Sequence, residues 1–249
     1  NGFVPPKKTP VVDWSRFTVM PGLVDSHDHL GIDIGDHMAL ANENDFVKAM
    51  RGVRNAETVL KAGITTLRSM GEKNFMDLYW KQAIENNWIR GPRLIISCQL
   101  LVKTGGHGWF IGCEVDGPNG LRTAVRQQVK AGTDWIKFML TGGSSTIGSD
   151  PLAPEYTAEE IKAVVEEAHH CGKKVAAHAH GGPGIKTAVE CGLDSVEHGT
   201  YLKEDDLRLM ADHGTFLVIT MGVKLAAAKS KAVPQFFKEK AARGAKHYV

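Results

Sequence analysis

Leu23-Val24-Asp25-Ser26-His27-Asp28-His29 is a short apolar run that ends in two imidazoles. In a β-strand, residues i and i+2 point to the same face, so His27 and His29 at a strand end converge on one point. Histidine is the commonest neutral nitrogen ligand for zinc and its neighbours in the first transition series. A His-x-His pair alone is a weak signal in a chain with 11 histidines. Its weight comes from company, because further ligand types recur downstream, each at the end of an apolar strand.

Working outward, one phrase repeats: an amphipathic helix, a glycine, then a short apolar or β-branched strand. It reads Lys61-Ala62-Gly63 before Ile64–Leu67, Lys130-Ala131-Gly132 before Trp135–Phe138, and His170-Cys171-Gly172 before Val175–His178. It returns as Glu190-Cys191-Gly192 before Ser195–His198 and Asp212-His213-Gly214 before Phe216–Ile219. Glycine just past a helix end takes the left-handed conformation without steric cost. With Gly91-Pro92 before Leu94–Ile96 and the opening Leu23-Val24, the pattern predicts about seven strands with helices between. Thr157-Ala158-Glu159-Glu160 is a capping-box start for a helix running to about His170.

Alternating helices and strands imply parallel strands joined by crossovers. A doubly wound open sheet would carry a glycine-rich phosphate turn after its first strand. Here the first strand ends in histidines, and neither Gly142-Gly143-Ser144 nor Gly181-Gly182-Pro183-Gly184 matches a dinucleotide fingerprint. A (β/α)8 TIM-type barrel instead gathers functional residues at the C-terminal ends of several strands. The expected fold is therefore an α/β barrel over residues 21–249.

Composition narrows the function. The 249 residues are 43% hydrophobic and 23% charged, with a net charge of +2, as in an ordinary globular protein. Interspersed charges leave no nucleic-acid footprint, and no apolar stretch reaches the roughly 18 residues of a membrane span. Cys98, Cys113, Cys171 and Cys191 form no C-x-x-C pair, which suits free thiols in a reducing cytoplasm.

Lys137 lies inside Trp135-Ile136-Lys137-Phe138-Met139-Leu140, where a charge is out of place. One reading puts it on the solvent side of an amphipathic strand, but barrel strands are covered on both faces. The sharper reading is a lysine inside the barrel whose neutral amine has taken up CO2. The carbamate so formed is a carboxylate on a long stem, able to bridge two cations. His178 ends a further strand, with His180 two residues on along the same face, and His198 ends another. Two cations about 3.5–4 Å apart can share a hydroxide, lower its pKa and polarise a carbonyl. Asp28 is expected to point away and to serve as a structural hydrogen-bonding group.

Pro-Gly-Leu-Val-Asp-x-His-x-His, the strand lysine at 137, His178-Ala179-His180-Gly181 and Val196-Glu197-His198-Gly199 together resemble the amidohydrolase superfamily. More narrowly, the chain resembles the imidazolonepropionase-related branch that holds binuclear Xaa-Pro and Xaa-Arg dipeptidases. The resemblance runs from about residue 17 to 245. It implies a zinc-type metal on His27 and His29, a second on His178 and His198, and carbamylated Lys137 as the bridge and a catalytic group with His178 and His198. The implied activity is hydrolysis, by metal-bound hydroxide, of an amide bond next to a free carboxylate, in a dipeptide or N-acyl amino acid. Cyclic amide or lactone hydrolysis, or deamination, is the alternative within the superfamily; a metal-binding barrel without catalysis is the alternative outside enzymes.

The resemblance also implies an eighth-strand aspartate that binds metal and shuttles the proton, and no Gly-Thr-Asp follows the seventh strand. The family's small β-sandwich is reduced to a stretch over residues 1–20, Val11–Trp14 to Val19-Met20. The 249 residues therefore read as a piece of a longer protein, and an open seven-stranded barrel is expected to be unstable or to aggregate alone. On the substrate side, Thr104–Trp109 and Thr141–Pro154 are Gly/Ser-rich loops suited to closing over a ligand. His107 is placed to donate to a substrate carbonyl or carboxylate, and Tyr201 and Arg68 to bind a terminal carboxylate. Family members carry Arg-Asp where this chain has Arg68-Ser69, which weakens the last assignment. The expected partners are a small-molecule or dipeptide substrate and further copies of the chain.

Overall fold

Strand alternation sorts the side chains into two shells. In the strand Trp135–Met139, Ile136 and Phe138 pack outward on helices, whereas Lys137 and Met139 face inward on a cavity. The same holds next door, where Val175 and Ala177 belong to the outer core and His178 lines the cavity. A computed structural model describes residues 4–247.

Its strands are β1 (Leu23–Asp28), β2 (Ile64–Ser69), β3 (Arg93–Ile96), β4 (Leu101–Val102), β5 (Cys113–Glu114), β6 (Trp135–Met139), β7 (Lys174–Ala179), β8 (Ser195–His198) and β9 (Phe216–Val218). The helices are α1 (His37–Ala41), α2 (Asp45–Lys61), α3 (Met76–Glu85), α4 (Pro118–Ala131), α5 (Ala158–His170), α6 (Gly184–Glu190), α7 (Glu204–His213), α8 (Met221–Lys229) and α9 (Gln235–Ala245). All strand pairs are parallel: β1-β2-β3 in one sheet, β5-β4-β6-β7-β8-β9 in the other. The two sheets are stitched where Asp134 N donates to Ile96 O at 2.9 Å and Ile96 N donates to the Asp134 carboxylate at 2.9 Å.

The ring therefore runs β1-β2-β3-β6-β7-β8-β9, the seven strands expected, in a (β/α)8-type arrangement. The barrel's third strand is interrupted after Ile96 at Cys98, whose φ of 55° turns the chain before β4 resumes beside β6. Helices cover the outside. Ile161, Val164, Val165 and Ala168 of α5 pack on Ile136, Val175 and Val196 in one core, and Leu67, Leu94, Ile96 and Trp80 form another beneath α2 and α3. The capping box of α5 is present as expected, with Thr157 and Glu160 each capping the other's backbone. Gly132 and Gly214 close α4 and α7 in the left-handed conformation.

Among the described residues no strand joins β9 to β1. Leu23, Val24, Phe216 and Ile219 are accordingly exposed along these two edges. Residues 4–22 form no strand, and Val11, Val12, Trp14 and Phe17 are exposed, so the expected sandwich stretch is an extended lead-in here. A strand needs a hydrogen-bonding neighbour, and none lies beside this segment among the described residues.

Candidate active site

The C-terminal ends of the strands open into a cavity of about 830 Å³. His27 and His29 reach it from β1, Lys137 from β6, His178 from β7 and His198 from β8. The five side chains, separated by up to 171 positions in sequence, thus meet in one place. The His27 ring lies 5.4 Å from His29 and 4.7 Å from His198, centroid to centroid, and His198 lies 4.5 Å from His178. His198 has φ of 78°, a left-handed conformation that a side chain with a Cβ rarely adopts. Such strain is tolerated where surrounding structure over-determines it, and functional sites are where it gathers.

Each ring is held from behind. His27 Nδ1 donates to Glu197 Oε2 at 2.7 Å and His29 Nδ1 to Gly71 O at 2.7 Å. A carboxylate and a carbonyl only accept, so these rings carry their proton on Nδ1 and keep a lone pair on Nε2. His178 is the reverse, since Nε2 donates to Gly142 O at 3.2 Å and the lone pair falls on Nδ1. His198 Nδ1 bonds the Thr220 hydroxyl at 2.6 Å and His180 Nδ1 the Thr200 hydroxyl at 2.8 Å. Outer partners of this kind fix the tautomer and orientation of metal-binding histidines.

Burial, with neighbouring positive charge, depresses every ring. His29 and His107 are pushed down to about 3, and His178, His180 and His198 lie well below the usual imidazole range. They are neutral at pH 7, the form that ligates metal. Among the described residues no three His, Cys, Asp or Glu side chains already close around one point as ligands. The donor set is nonetheless of the right chemistry: neutral imidazoles, oriented from outside, around a lysine amine. The residues have the donor chemistry of a divalent-cation site.

Lys137 is 2% exposed and has no ion-pair partner among the described residues. Burial lowers its pKa to about 7, with Glu197 opposing and Arg68 assisting. Burial thus favours the neutral amine, the form that takes up CO2.

The buried network below the rings centres on Glu197, 0% exposed, to which no function attaches from sequence. Its carboxylate accepts from His27, from Arg68 Nη2 at 2.7 Å and from Ser195 Oγ at 2.7 Å. Burial pushes Glu197 up, but the His27 hydrogen bond and the charges around it prevail and hold it at about 2. An acid within an apolar strand was the available signal, the same one that marks Lys137. His180 was likewise not assigned; its ring stacks on His198 at 5.2 Å.

The expected substrate contacts divide. His107 lines the cavity 4.5 Å from His178, tied to Thr146 Oγ1 at 2.8 Å. Arg68 does not reach it. Its guanidinium is spent on Glu197, on Ser26 O at 2.6 Å and over the Trp135 ring, so it works as a structural cation instead of a carboxylate ligand. Tyr201 packs 4.8 Å from His247, off the cavity wall. Asp28 lies on the cavity wall after all, its carboxylate accepting from His29 N at 2.7 Å. The loop after β6 is closed down by α9, whose Lys240 Nζ donates to the carbonyls of Gly143, Thr146 and Ser149 at 3.3, 3.1 and 2.7 Å.

Depressed imidazoles have a consequence for stability. The unfolded chain binds more protons than the folded one between an imidazole's folded pKa and about 6.5, so stability falls as pH drops through that window. Seven histidines (His27, His29, His37, His107, His178, His180 and His198) act in this sense. Asp28, Glu72 and Asp77, raised by burial, act in the opposite one. The histidines outnumber them, so the melting temperature of chelator-treated protein is expected to drop steadily from pH 6.5 toward pH 4. A flat profile over that range would contradict the neutral, buried assignment.

Comparison with known proteins agrees with a parallel α/β barrel. The model of the amidohydrolase family matches residues 18–244, and the chain belongs to that family. Ochratoxinase of Aspergillus niger is 30% identical over 233 residues, covering 82% of this chain and 48% of that protein. A prolidase solved with N-methylphosphonate-L-proline superposes with a TM-score of 0.85 at 30% identity, covering 92% of this chain and 60% of the prolidase. A Xaa-Pro dipeptidase with methionine in its active site gives 0.81 at 30%, covering 91% and 61%. The chain spans about half the length of the curated relatives it matches. No helix among the described residues is long and apolar enough to cross a membrane.

Proposed function

We propose that the protein is a binuclear metal-dependent amidohydrolase that cleaves an amide bond next to a free carboxylate, in a dipeptide or N-acyl amino acid. The observation that carries this reading is the set of imidazoles oriented by acceptors behind them around Lys137, a buried lysine with no ion pair among the described residues. His27 and His29 would hold one cation, His178 and His198 the other, and the carbamate of Lys137 would bridge them. Zinc suits a nitrogen-rich set best. Divalent cations in such a site supply an activated water and a Lewis acid for the scissile carbonyl.

The chain's own groups do the rest. Glu197, Gly71 and Gly142 hold the tautomers; His107 is placed to donate to a substrate oxygen; the loop held by Lys240 covers the site and limits water. The similarity to a prolidase and an Xaa-Pro dipeptidase supports a dipeptide-like substrate. Four free cysteines support a cytoplasmic setting, with small molecules and further copies of the chain as partners in place of nucleic acid or membrane.

The test is to purify the full-length protein, measure metal by mass spectrometry and screen dipeptides and N-acyl amino acids for hydrolysis. About two divalent ions per chain and turnover of free-acid substrates are expected. A metal-free preparation with undiminished turnover would sink the proposal.

A further inference from the structure

Among the described residues three lysines are buried: Lys48, Lys137 and Lys224. Lys48 is satisfied by Asp45 at 2.7 Å and by Ala41 O at 3.0 Å. Lys137 is taken up by the bridge proposed above. Lys224, 5% exposed on α8, makes no hydrogen bond or ion pair among the described residues, and it lines the cavity. The contrast with Lys240 on the adjoining α9 is instructive. That ammonium satisfies three carbonyls, so the helical cover can pair a lysine where pairing is structural.

The position of Lys224 is defined by its neighbours. A methyl group on Gly244 would stand 3.0 Å from Lys224 Nζ and 3.2 Å from Thr200 Cγ2. The bare glycine of α9 thus leaves the ammonium its room. Thr200 in turn holds His180, so the ammonium borders the His180 side of the histidine cluster. A buried ammonium without a counter-ion is costly, and an arriving anion offsets that cost. The cavity wall is mostly histidines and apolar groups such as Phe237 and Val223; its carboxylates, Asp25, Asp28 and Asp33, lie at or after β1, and none of them is bonded to Lys224.

We infer that Lys224 is the anchor for the carboxylate of the substrate. This rests on the proposal that the substrate carries one, and it fills a role that Arg68 and Tyr201, expected for it from sequence, do not occupy. Lys224 fixes how deep the ligand sits and so which bond is presented to the imidazoles. An ammonium is a point charge with three donors, and it selects the free acid over a neutral amide of the same shape.

The test compares N-acetyl-L-phenylalanine with N-acetyl-L-phenylalaninamide by calorimetry, on zinc-loaded and on chelated full-length protein. The unaltered protein is expected to bind the acid at least about tenfold more tightly. Lys224→Met, which keeps the volume and removes the charge, is expected to weaken the acid by about 10- to 100-fold and leave the amide unchanged. Lys224→Arg should retain most of the preference. Equal weakening of both ligands would mean a structural role, and an intact preference in Lys224→Met, or none in the unaltered protein, would equally overturn the inference. On the chelated protein binding is read without turnover, which separates the two proposals. Acid preference that collapses in Lys224→Met without any hydrolysis removes the reaction and keeps the anchor. Hydrolysis with an unchanged KM in Lys224→Met removes the anchor and keeps the reaction.

Discussion

Lys137→Ala is expected to abolish hydrolysis and empty the metal site together, while the barrel stays folded. The side chain sits at the centre of the inner shell, 2% exposed, with its pKa lowered to about 7 by burial. Carbamylation joins the amine nitrogen to the carbon of CO2 and releases one proton, which turns a desolvated base into an anion among neutral imidazoles. Removing it takes away the only anionic ligand of the proposed set among the described residues. A loss of at least about 10³-fold in kcat/KM follows, equivalent to about 4 kcal/mol of transition-state stabilisation.

The fold should survive, because Lys137 gives the apo protein an unpaired buried amine and no ion pair. Lys137→Met should therefore melt no lower than the unaltered chain. A second readout separates the carbamate from a plain lysine: short carboxylic acids such as propionate should enter the void in Lys137→Ala and restore part of the activity. Purified Lys137→Ala that keeps its metal and its rate would remove the bridge from the mechanism.

Some of this site was readable in the residues and some was not, for physical reasons. His27, His29, Lys137, His178 and His198 show themselves because each is a polar residue in or at the end of an apolar strand, where burial demands an explanation. The strands are readable because glycine ends the preceding helix and hydrophobic alternation begins at once. β4 and β5 escape notice, since two residues are too few to show a period. The supporting partners escape too. Glu197 meets His27 across 170 residues, and Gly71 and Gly142 contribute only backbone carbonyls, which any residue type supplies. Lys224 stands in no pattern that marks it in the sequence. Only the packing of α8 against α9 reveals it as buried and unpaired. Arg68 shows the converse error, because a cation at a strand end looks available until Glu197 is found on the neighbouring face.

Glu197→Gln is expected to be the most destabilising single change in the barrel interior. It keeps the volume but removes the charge that faces Arg68, leaving a guanidinium 7% exposed without its counter-ion. Breaking one side of a buried pair costs about 3–5 kcal/mol, because the remaining charge stays desolvated. His27 loses its carboxylate acceptor in the same step, and weakening such an outer partner lowers metal affinity about 10- to 100-fold. The two effects can be pulled apart. Replacing both partners, Arg68→Met with Glu197→Leu, removes the unpaired charge, and a well-packed apolar pair of this kind is often neutral in stability. The double variant should thus recover most of the urea-unfolding free energy while zinc affinity stays low, since nothing then orients His27. Recovery of both would mean that Glu197 serves the fold alone. Recovery of neither would mean that Ser195 and Ser26, also bonded within this network, carry more of the interior's order than the ion pair does.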